Sequence, residues 1–477
     1  LYVTVLVYVA SRLLGAPADA PYLAEARALF ESEKVERVPT WGRVWLAMLG
    51  LYGWEGVIPM PPEVWALPEA LPIHPSRYYC HTRLIYLGLS LLRTEAKTKA
   101  PDQTLLAVRR ELYPARAFVE IDFRAFRFDV SGLDLVAPIP RPMRGALGVI
   151  GVAEGFIPGP IRRSVAGTLR EAIRFELRTT DHLGVSPVSG MLCALALAAH
   201  DPNDETVART IASLETWVFE DDVEGCRVTG ARSQTWDTAF ALQALVAASP
   251  VATEGPALRL GASYLAAQQI PHAFRDFARF HRIDPSGGFC FAHREHGWPV
   301  SDCTAEALIA LIEIEDPAVP LETLHQGVRF ILRCQNEDGA FGSYEPKRVR
   351  GSLEALNPSE MFLECMTEGS YVECTASCLM ALVDWRARFG DHALVPRVSE
   401  AIDRARAFLV ASQRPDGSFD AAWGIHYVYG TMFGLRALRK AGALPTDACV
   451  RRAVRFLIRH QRPDGFGEHE SSALENR

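Results

Sequence analysis

The chain has 477 residues, 49% of them hydrophobic, and a net charge of −7. This length and apolar content allow two domains with large cores. Lys and Arg are scattered without a basic stripe, which argues against a nucleic-acid partner. The ten cysteines are too sparse for a disulfide scaffold and lack zinc-site spacing, so we predict reduced thiols in a cytosolic setting and no bound metal.

The chain begins with "LYVTVLVYVASRLLGAPADA", without an initiator methionine or a basic signal-peptide region. This start is typical of a core helix entered partway through, so we expect a fragment of a longer protein. The longest apolar runs, "LIYLGLSLL" and "GMLCALALAA", are shorter than the roughly 20 residues that a spanning helix needs. We therefore expect no membrane span, which leaves attachment to a membrane surface open.

An acidic stretch, "FEDDVEG" from residue 219, lies between the two halves of the chain. It lacks the second acidic pair of a magnesium–diphosphate motif, so we predict a solvated loop.

A helical-ring protein of the prenyltransferase β-subunit type would also need a zinc trio of Asp, Cys and His and a basic diphosphate site. Asp302 and Cys303 are adjacent, which is wrong for two ligands of one metal ion.

A helix start recurs four times in the second half, each with Thr at its third position. The four are "WDTAFALQAL" from 236, "DCTAEALIAL" from 302, "ECTASCLMAL" from 373 and "YGTMFGLRAL" from 429. Thr is a good N-cap, and small residues let helices approach closely. The pattern therefore predicts four helices that begin near Thr238, Thr304, Thr375 and Thr431.

A second motif follows each start: an aromatic residue, then Gln, then often Asp-Gly and another aromatic. The glutamines lie 30, 31, 38 and 30 residues after the threonines, at Gln268, Gln335, Gln413 and Gln461. The repeating unit is thus a pair of helices, and such pairs must stack to bury their apolar faces. An open solenoid and a closed ring both satisfy this. A closed α/α barrel would place the Thr helices in an inner ring, with their N-termini at one mouth.

Asp302 opens the second of these helices. Its position in the other repeats is taken by Trp236, Glu373 and Tyr429. In a closed ring, Asp302 would face a shared cavity beside aromatic rings and thiols. Aspartate is also a common N-cap, so spacing alone leaves both a helix cap and a site residue open.

Several stretches resemble the oxidosqualene cyclases, in that family's order. They are "PTWGRVWLAMLGLYGWEGV", "HPSRYYCHTRLIYL", "SQTWDTAFALQAL", "VSDCTAEA", "LNPSEMFLECMTEGSYVECTAS" and "WGIHYVYGTMFGL". The Gln-Asp-Gly units resemble the QW repeats of that family, with Phe341 and Phe419 in place of the usual Trp. The resemblance covers nearly the whole chain.

The resemblance implies an all-α fold of two α/α (toroid) barrel domains, residues 1–225 and 226–477, with the active site between them. It implies no metal or cofactor, and monotopic attachment to a membrane lipid surface facing the cytoplasm. The activity it implies is cyclisation of (3S)-2,3-oxidosqualene to a tetracyclic sterol precursor of the lanosterol, cycloartenol or parkeol type.

The resemblance assigns the acid that opens the epoxide to Asp302, with Cys303 and Cys374 as thiol donors to its carboxylate. Burial alone would raise the pKa of Asp302, and donors to the carboxylate partly restore its acidity. Glu306, one helical turn along, matches the family's glutamate that returns a proton to the acid.

The same resemblance places Trp236, Phe291, Trp423 and Tyr429 around the carbocation. Cation–π attraction to such rings is worth about 0.5–2 kcal/mol each. His81 matches the final base and Tyr344 its partner, and a histidine in an apolar pocket stays neutral and able to accept a proton. Tyr79 stands where many sterol-forming members carry Trp.

Thr82, Tyr86 and Cys365 match the lining of the substrate access channel. The apolar run after His81 has a length that suits a helix in the membrane interface, although an ordinary buried helix would look the same. Val300 is typical of lanosterol formation and His296 of cycloartenol formation, so the product stays open.

Two alternatives remain from the sequence. A squalene cyclase of the hopene type would carry a cluster of aspartates where this chain has only Asp302 followed by Cys303. A non-catalytic triterpene-binding remnant is the other, because we expect family segments beyond both ends to be missing.

Overall fold

The computed structural model describes residues 1–223, 225–248 and 255–465. Their internal contacts divide the chain into two units. Unit 1 comprises Leu1–Arg174, Leu192–Ala208 and Val349–Thr367, and unit 2 comprises Phe175–Met191, Arg209–Arg348 and Glu368–Arg477. The boundary expected at 225/226 stays a prediction.

Unit 1 is built from helices joined by short 3-10 turns. Its helices are α1 (Tyr2–Leu13), α2 (Pro21–Glu33), α3 (Thr40–Met48), α4 (Cys80–Glu95), α5 (Gln103–Leu112) and α6 (Arg141–Ala153). Three more helices have residues in both units: α7 (Gly159–Arg178), α8 (Pro187–His200) and α9 (Glu205–Leu214). α1 packs against α2 and α5 and buries Val5, Tyr8 and Val9.

Unit 2 contains the repeats. Its elements are β1 (Val218–Asp221), β2 (Gly225–Val228), α10 (Gln234–Ala248), α11 (Pro256–Ala267), β3 (Phe289–Cys290), β4 (Pro299–Val300), α12 (Ser301–Ile314), α13 (Leu321–Arg333), α14 (Val372–Arg388), α15 (Val395–Ser412), α16 (Tyr427–Lys440) and α17 (Ala448–His460). β1 pairs with β2 and β3 with β4, both antiparallel, with Val218 opposite Val228 and Phe289 opposite Val300.

The predicted helix pairs are present. The Thr helices α10, α12, α14 and α16 pack in succession, and each also packs against the helix that follows it, α11, α13, α15 or α17. Of the residues of α12, only Glu313 is exposed. A helix that is apolar all round belongs in a core, and this explains the uninterrupted run "ALIAL". The mainly helical fold that the sequence predicted is confirmed.

The threonines do not cap these helices, and that prediction was wrong. The N-cap of α12 is Val300, and Thr304 lies one turn inside. Its hydroxyl donates to the Val300 carbonyl at 2.7 Å and accepts the N–H of Phe289 at 2.9 Å. Thr375 and Thr431 accept the N–H groups of Phe341 and Phe419 in the same way, each at 3.0 Å. In these three repeats the Thr therefore anchors the aromatic residue that precedes its helix, whereas the Thr238 hydroxyl donates to the Gln234 carbonyl.

The repeated glutamines link each helix pair to the next. Gln335 Nε2 donates to the carbonyls of Gly339 at 2.9 Å and Ala401 at 3.0 Å, which closes its own turn and joins it to α15. Gln413 repeats this with Gly417 and Cys449 of α17. In the first repeat Gln269, not the predicted Gln268, makes the equivalent bonds. The register was wrong by one because two glutamines are adjacent.

One segment differs from expectation. The acidic "FEDDVEG" stretch forms most of an exposed hairpin, β1–β2, instead of a loop, and Glu224 lies outside the described residues. In α4, residues 87–92 are buried and Ile85 and Tyr86 are half-buried, and attachment to a membrane surface through this helix stays a prediction. Within the described residues, no helix combines the length and the apolar character needed to cross a membrane.

Candidate active site

The segment that leads into α12 is rigidly fixed within unit 2. Gly297 has φ +68°, and a Cβ there would lie 1.8 Å from the Thr179 carbonyl oxygen, so only glycine fits. Trp298 donates its indole N–H to Glu176 at 2.6 Å. The Arg282 guanidinium lies 3.9 Å from the Trp298 ring centre and 3.7 Å from Glu176. This buried ion pair holds the residues that precede Asp302.

Asp302 is the second residue of α12 and is buried, with 8% of its surface exposed. Its Oδ1 accepts the N–H of Cys303 at 2.7 Å, and its Oδ2 accepts the thiol of Cys374 from α14 at 3.5 Å. Asp302 is therefore not the N-cap residue, although it satisfies one N–H of the first turn. The structure brings together the acid and the thiol donors that the sequence predicted.

Opposing effects set the acidity of Asp302. Burial raises its pKa from 3.8 to about 6; the Cys303 N–H and the Cys374 thiol lower it, and the nearby Glu373 carboxylate raises it further. Burial likewise raises the pKa values of the Cys303 and Cys374 thiols well above the usual value, so both remain protonated donors. The site thus holds a carboxyl group that is partly protonated near neutral pH.

Glu306 lies one turn further along α12 and is fully buried. Its Oε1 accepts from Ser377 Oγ of α14 at 2.6 Å, and its Oε2 accepts from Gln243 Nε2 of α10 at 2.8 Å. Burial raises its pKa, and the two hydrogen bonds oppose this rise. A second carboxyl group that can carry a proton therefore lies on the same helix as Asp302.

Glu373 was noticed in the sequence only as the repeat equivalent of Asp302. Its Oε1 accepts the N–H groups of Ala422 and Trp423, both at 2.7 Å. Its Oε2 is buried and has no hydrogen-bond partner among the described residues. Glu373 therefore fixes the loop that carries Trp423, and burial raises its pKa.

Each predicted aromatic residue of unit 2 packs against another ring. Trp236 and Phe291 have ring centres 5.7 Å apart. The ring centres of Trp423 and Tyr344 lie 6.4 Å apart, and 52% of the Trp423 surface is exposed. The ring centres of Tyr429 and Phe433 lie 4.9 Å apart. Burial raises the pKa of Tyr429, and the nearby Asp302 carboxylate raises it further.

Val300 and His296 precede α12 and are both buried. His296 Nε2 donates to the Gly184 carbonyl at 3.0 Å, and burial lowers its pKa to about 4. Its Nδ1 has no partner among the described residues. In this structure His296 therefore supports the loop before α12; a role in product choice stays a prediction.

The remaining predicted residues belong to unit 1. His81 is half-buried, and burial lowers the pKa of its imidazole to about 4. The ring centres of His81 and Tyr79 lie 5.1 Å apart. Thr82 donates its hydroxyl to the Cys365 carbonyl, and the Tyr86 ring packs on Tyr78. The predicted pairing of His81 with Tyr344 stays a prediction.

Sequence reasoning missed Ser343, which is fully buried. Its Oγ accepts the indole N–H of Trp423 at 2.7 Å and lies 3.5 Å from Cys374 Sγ. The repeats contained a signal for it. Ser343 stands two residues after the anchored Phe341, as Phe291, a predicted site residue, stands two after Phe289.

Within the described residues, no group of three or more His, Cys, Asp or Glu side chains is arranged to hold a metal ion. All ten cysteines lie in this part of the chain, and none of them forms a disulfide. The side chains gathered around Asp302 carry carboxyl, thiol, hydroxyl and aromatic groups.

Comparisons with known proteins agree on one family. The profile of the squalene-hopene cyclase N-terminal domain matches residues 1–223, and that of the C-terminal domain matches residues 232–477. The chain is 34% identical to the lanosterol synthase of Homo sapiens, over 99% of this chain and 66% of that protein. It is 32% identical to the cycloartenol synthase of Dictyostelium discoideum, over 94% of this chain and 64% of that protein.

The chain thus spans slightly less than two thirds of the length of these curated relatives. Among solved structures, ent-copalyl diphosphate synthase from Streptomyces platensis aligns with 95% of this chain and 87% of that one. The identity is 17% and the TM-score 0.40, a similarity too low to support any conclusion.

Proposed function

This chain belongs to the squalene–hopene cyclase family, and we propose that it cyclises (3S)-2,3-oxidosqualene to a tetracyclic sterol precursor of the lanosterol, cycloartenol or parkeol type. The observation that carries the proposal is the buried Asp302 carboxyl with the Cys374 thiol on its Oδ2. A buried carboxylic acid suits an epoxide, which needs only one proton to open. The relatives named as lanosterol and cycloartenol synthases support the same substrate.

The first step transfers the Asp302 proton to the epoxide oxygen. The C–O bond breaks as the nearest double bond attacks the carbon, so the charge moves into the forming rings. The pKa of about 6 keeps a useful fraction of Asp302 protonated near neutral pH. After transfer, the Cys374 thiol and the Cys303 N–H stabilise the carboxylate.

The cation then needs stabilisation without a nucleophile that would trap it. Aromatic faces provide this, and Trp236, Phe291, Trp423 and Tyr429 are the rings that we assign to it. The Trp423 ring keeps half of its surface exposed even though its indole N–H is hydrogen-bonded, which leaves a face available.

The reaction ends when a proton leaves carbon, and we assign its acceptor to His81, with Tyr344 as its partner. A pKa of about 4 keeps this imidazole neutral at physiological pH. A proton beside a carbocation is so acidic that a weak neutral base suffices. One proton is added and one removed, so the product is an isomer of the substrate and no co-reactant is consumed.

We also propose that the protein binds a membrane surface, facing the cytoplasm, through α6 and the turn that follows it. Val149, Val152 and Phe156 are 71%, 67% and 81% exposed there. Exposed apolar side chains clustered on one helix mark an interfacial contact. In a vesicle co-sedimentation assay, Val152→Glu combined with Phe156→Glu should abolish binding, whereas Val119→Glu, at another exposed apolar site of unit 1, should not.

Parallel incubation with oxidosqualene and with squalene tests the substrate. We expect a cyclised alcohol from oxidosqualene and no product from squalene. A hydrocarbon product from squalene would favour a cyclase of the hopene type instead. Binding of oxidosqualene without turnover would indicate a triterpene-binding protein and contradict the proposal.

A further inference from the structure

Three hydrogen bonds lead from the Trp423 indole to Asp302, all within unit 2. The Trp423 Nε1–H donates to Ser343 Oγ at 2.7 Å. Ser343 Oγ lies 3.5 Å from Cys374 Sγ. Cys374 Sγ in turn donates to Asp302 Oδ2 at 3.5 Å. A ring assigned to the cation is thus connected to the acid that starts the reaction.

The chemistry of the two ends fixes the direction of this chain. An indole N–H can only donate, so Ser343 Oγ must accept from Trp423 and its own hydrogen is free for Cys374. An ionised carboxylate can only accept, so the Cys374 thiol must donate to Asp302. Every hydrogen therefore points toward Asp302. Donors aligned in this way polarise one another.

Ser343 is also rigidly held. Its carbonyl accepts the N–H of Ser301, the first residue of α12, at 2.8 Å, and the Gly342 carbonyl accepts the Ser301 hydroxyl at 2.7 Å. Two residues earlier, the Phe341 N–H is anchored on Thr375 of α14. A Cβ on Gly342 would lie 2.2 Å from the Glu345 carbonyl oxygen, so only glycine fits in this closely packed turn. The repeat turn thus sets Ser343 between α12 and α14.

We propose that Ser343 is a positioning residue for the acid: its hydroxyl accepts the Trp423 indole N–H and holds the Cys374 thiol on Asp302. This inference rests on the proposed function and deepens it. Without the serine hydroxyl, the thiol can rotate away from the carboxylate, and the conjugate base formed on proton transfer loses a donor. Ser343 thereby makes Asp302 a stronger acid without touching the substrate.

Other titratable groups also interact with Asp302. They are Cys303 on α12, Glu373 and Cys378 on α14, and Tyr429 on α16, while Glu306 lies one turn further along α12. The Ser343 and Trp423 substitutions used below leave all of these side chains in place. A change in the titration of Asp302 can therefore be assigned to the hydrogen-bond chain.

The experiment is an infrared difference titration of the full chain without substrate. Asp302→Asn identifies the Asp302 carboxyl band, and Cys374→Ala identifies the S–H stretch of Cys374. The variants are Ser343→Ala and Trp423→Phe, which keeps an aromatic ring but removes the N–H. Ser412→Ala, which removes a hydroxyl bonded only to the Phe408 carbonyl of its own helix among the described contacts, is the control.

We expect Ser343→Ala to raise the pKa of Asp302 by roughly 0.5–1 unit, as loss of one modest hydrogen bond to the carboxylate should. The Cys374 S–H band should move toward that of a free thiol. Trp423→Phe should shift both in the same direction by less, and Ser412→Ala should shift neither. An unchanged Asp302 pKa and S–H band in both Ser343→Ala and Trp423→Phe would overturn the inference.

These outcomes are separate from those that test the proposed function. If the wild-type chain does not cyclise oxidosqualene but the variants show these shifts, the proposed function fails, while the positioning of the Cys374 thiol on Asp302 by Ser343 is confirmed. If it cyclises oxidosqualene and shows no shift in either variant, the inference alone fails.

Discussion

The Cys374 thiol donates to Oδ2 of Asp302 at 3.5 Å, so the acid on α12 depends on a side chain of α14. The two residues are 72 positions apart in the sequence. They meet because the repeats place equivalent helix starts next to each other. The acidity of Asp302 is therefore a property of the packed repeats and not of the "DCTAE" segment alone.

Removal of this thiol should weaken the acid. Cys374→Ala should raise the pKa of Asp302 above about 6, because a donor that favours the ionised form is lost. A net loss of about 1 kcal/mol would lower the cyclisation rate roughly fivefold. Cys334→Ala, which removes another fully buried thiol of unit 2, is the matched control and should leave the rate unchanged. Equal losses in both variants would point to a general packing effect.

Asp302 should also make stability depend on pH. Its pKa is raised from 3.8 to about 6, so the folded state holds a proton that the unfolded state releases between these values. Stability should therefore fall as pH rises from about 4 to 6, by roughly 3 kcal/mol at most. Asp302→Asn lacks this effect. Its unfolding free energy should exceed that of the wild type by more at pH 8 than at pH 4 in denaturant titrations, and a difference independent of pH would argue against a buried acid.

Glu306 should matter for repeated turnover and not for the first. Asp302 must regain a proton after each cycle, and Glu306 is the buried carboxyl one turn away. In Glu306→Gln the first turnover should proceed normally, whereas steady-state turnover should fall about tenfold or more. Rapid-quench measurements separate the two phases. Glu322→Gln on the exposed face of α13 should change neither, and an equal loss of both phases in Glu306→Gln would instead assign Glu306 to packing.

A repeated Thr whose hydroxyl accepts a buried backbone N–H should contribute more to the unfolding free energy than one whose hydroxyl accepts none. Thr304→Val leaves the buried Phe289 N–H without its acceptor and should cost about 1–3 kcal/mol of unfolding free energy. Thr238→Val is the matched control, because the hydroxyl of Thr238 donates to the Gln234 carbonyl and accepts no bond among the described contacts. It should cost less than about 0.5 kcal/mol. Similar losses in thermal unfolding would mean that the anchor contributes little.

The repeats made the helix pairs of unit 2 predictable, since periodic Thr and Gln residues act at equal positions in successive units. They did not show what Thr does. The local sequence is the same whether the Thr hydroxyl lies at the N-cap or one turn inside the helix. Only its hydrogen-bond partner, here the N–H of Phe289, distinguishes the two positions. The adjacent Gln268 and Gln269 could not be ranked for the same reason.

At the site, the residue types of Asp302 and its thiols suggested an acid with donors. The roles of Ser343 and Glu373 were not predicted because each acts on a partner distant in sequence. Ser343 accepts from Trp423, and Glu373 accepts from the N–H groups of the loop that carries Trp423. Such a link is visible only once the loop and α14 have packed. The burial of α4 likewise depends on packing, as its Gly88 fits closely against Leu192 of α8.

The most direct test of the account compares the wild-type chain with Asp302→Asn in the presence of (3S)-2,3-oxidosqualene, with products identified by gas chromatography–mass spectrometry. Asn keeps the shape of the side chain but cannot donate the proton. We predict a tetracyclic alcohol isomeric with the substrate from the wild type and none from Asp302→Asn. The same product from both proteins, or no cyclised product from a folded wild-type chain that binds the substrate, would contradict the account.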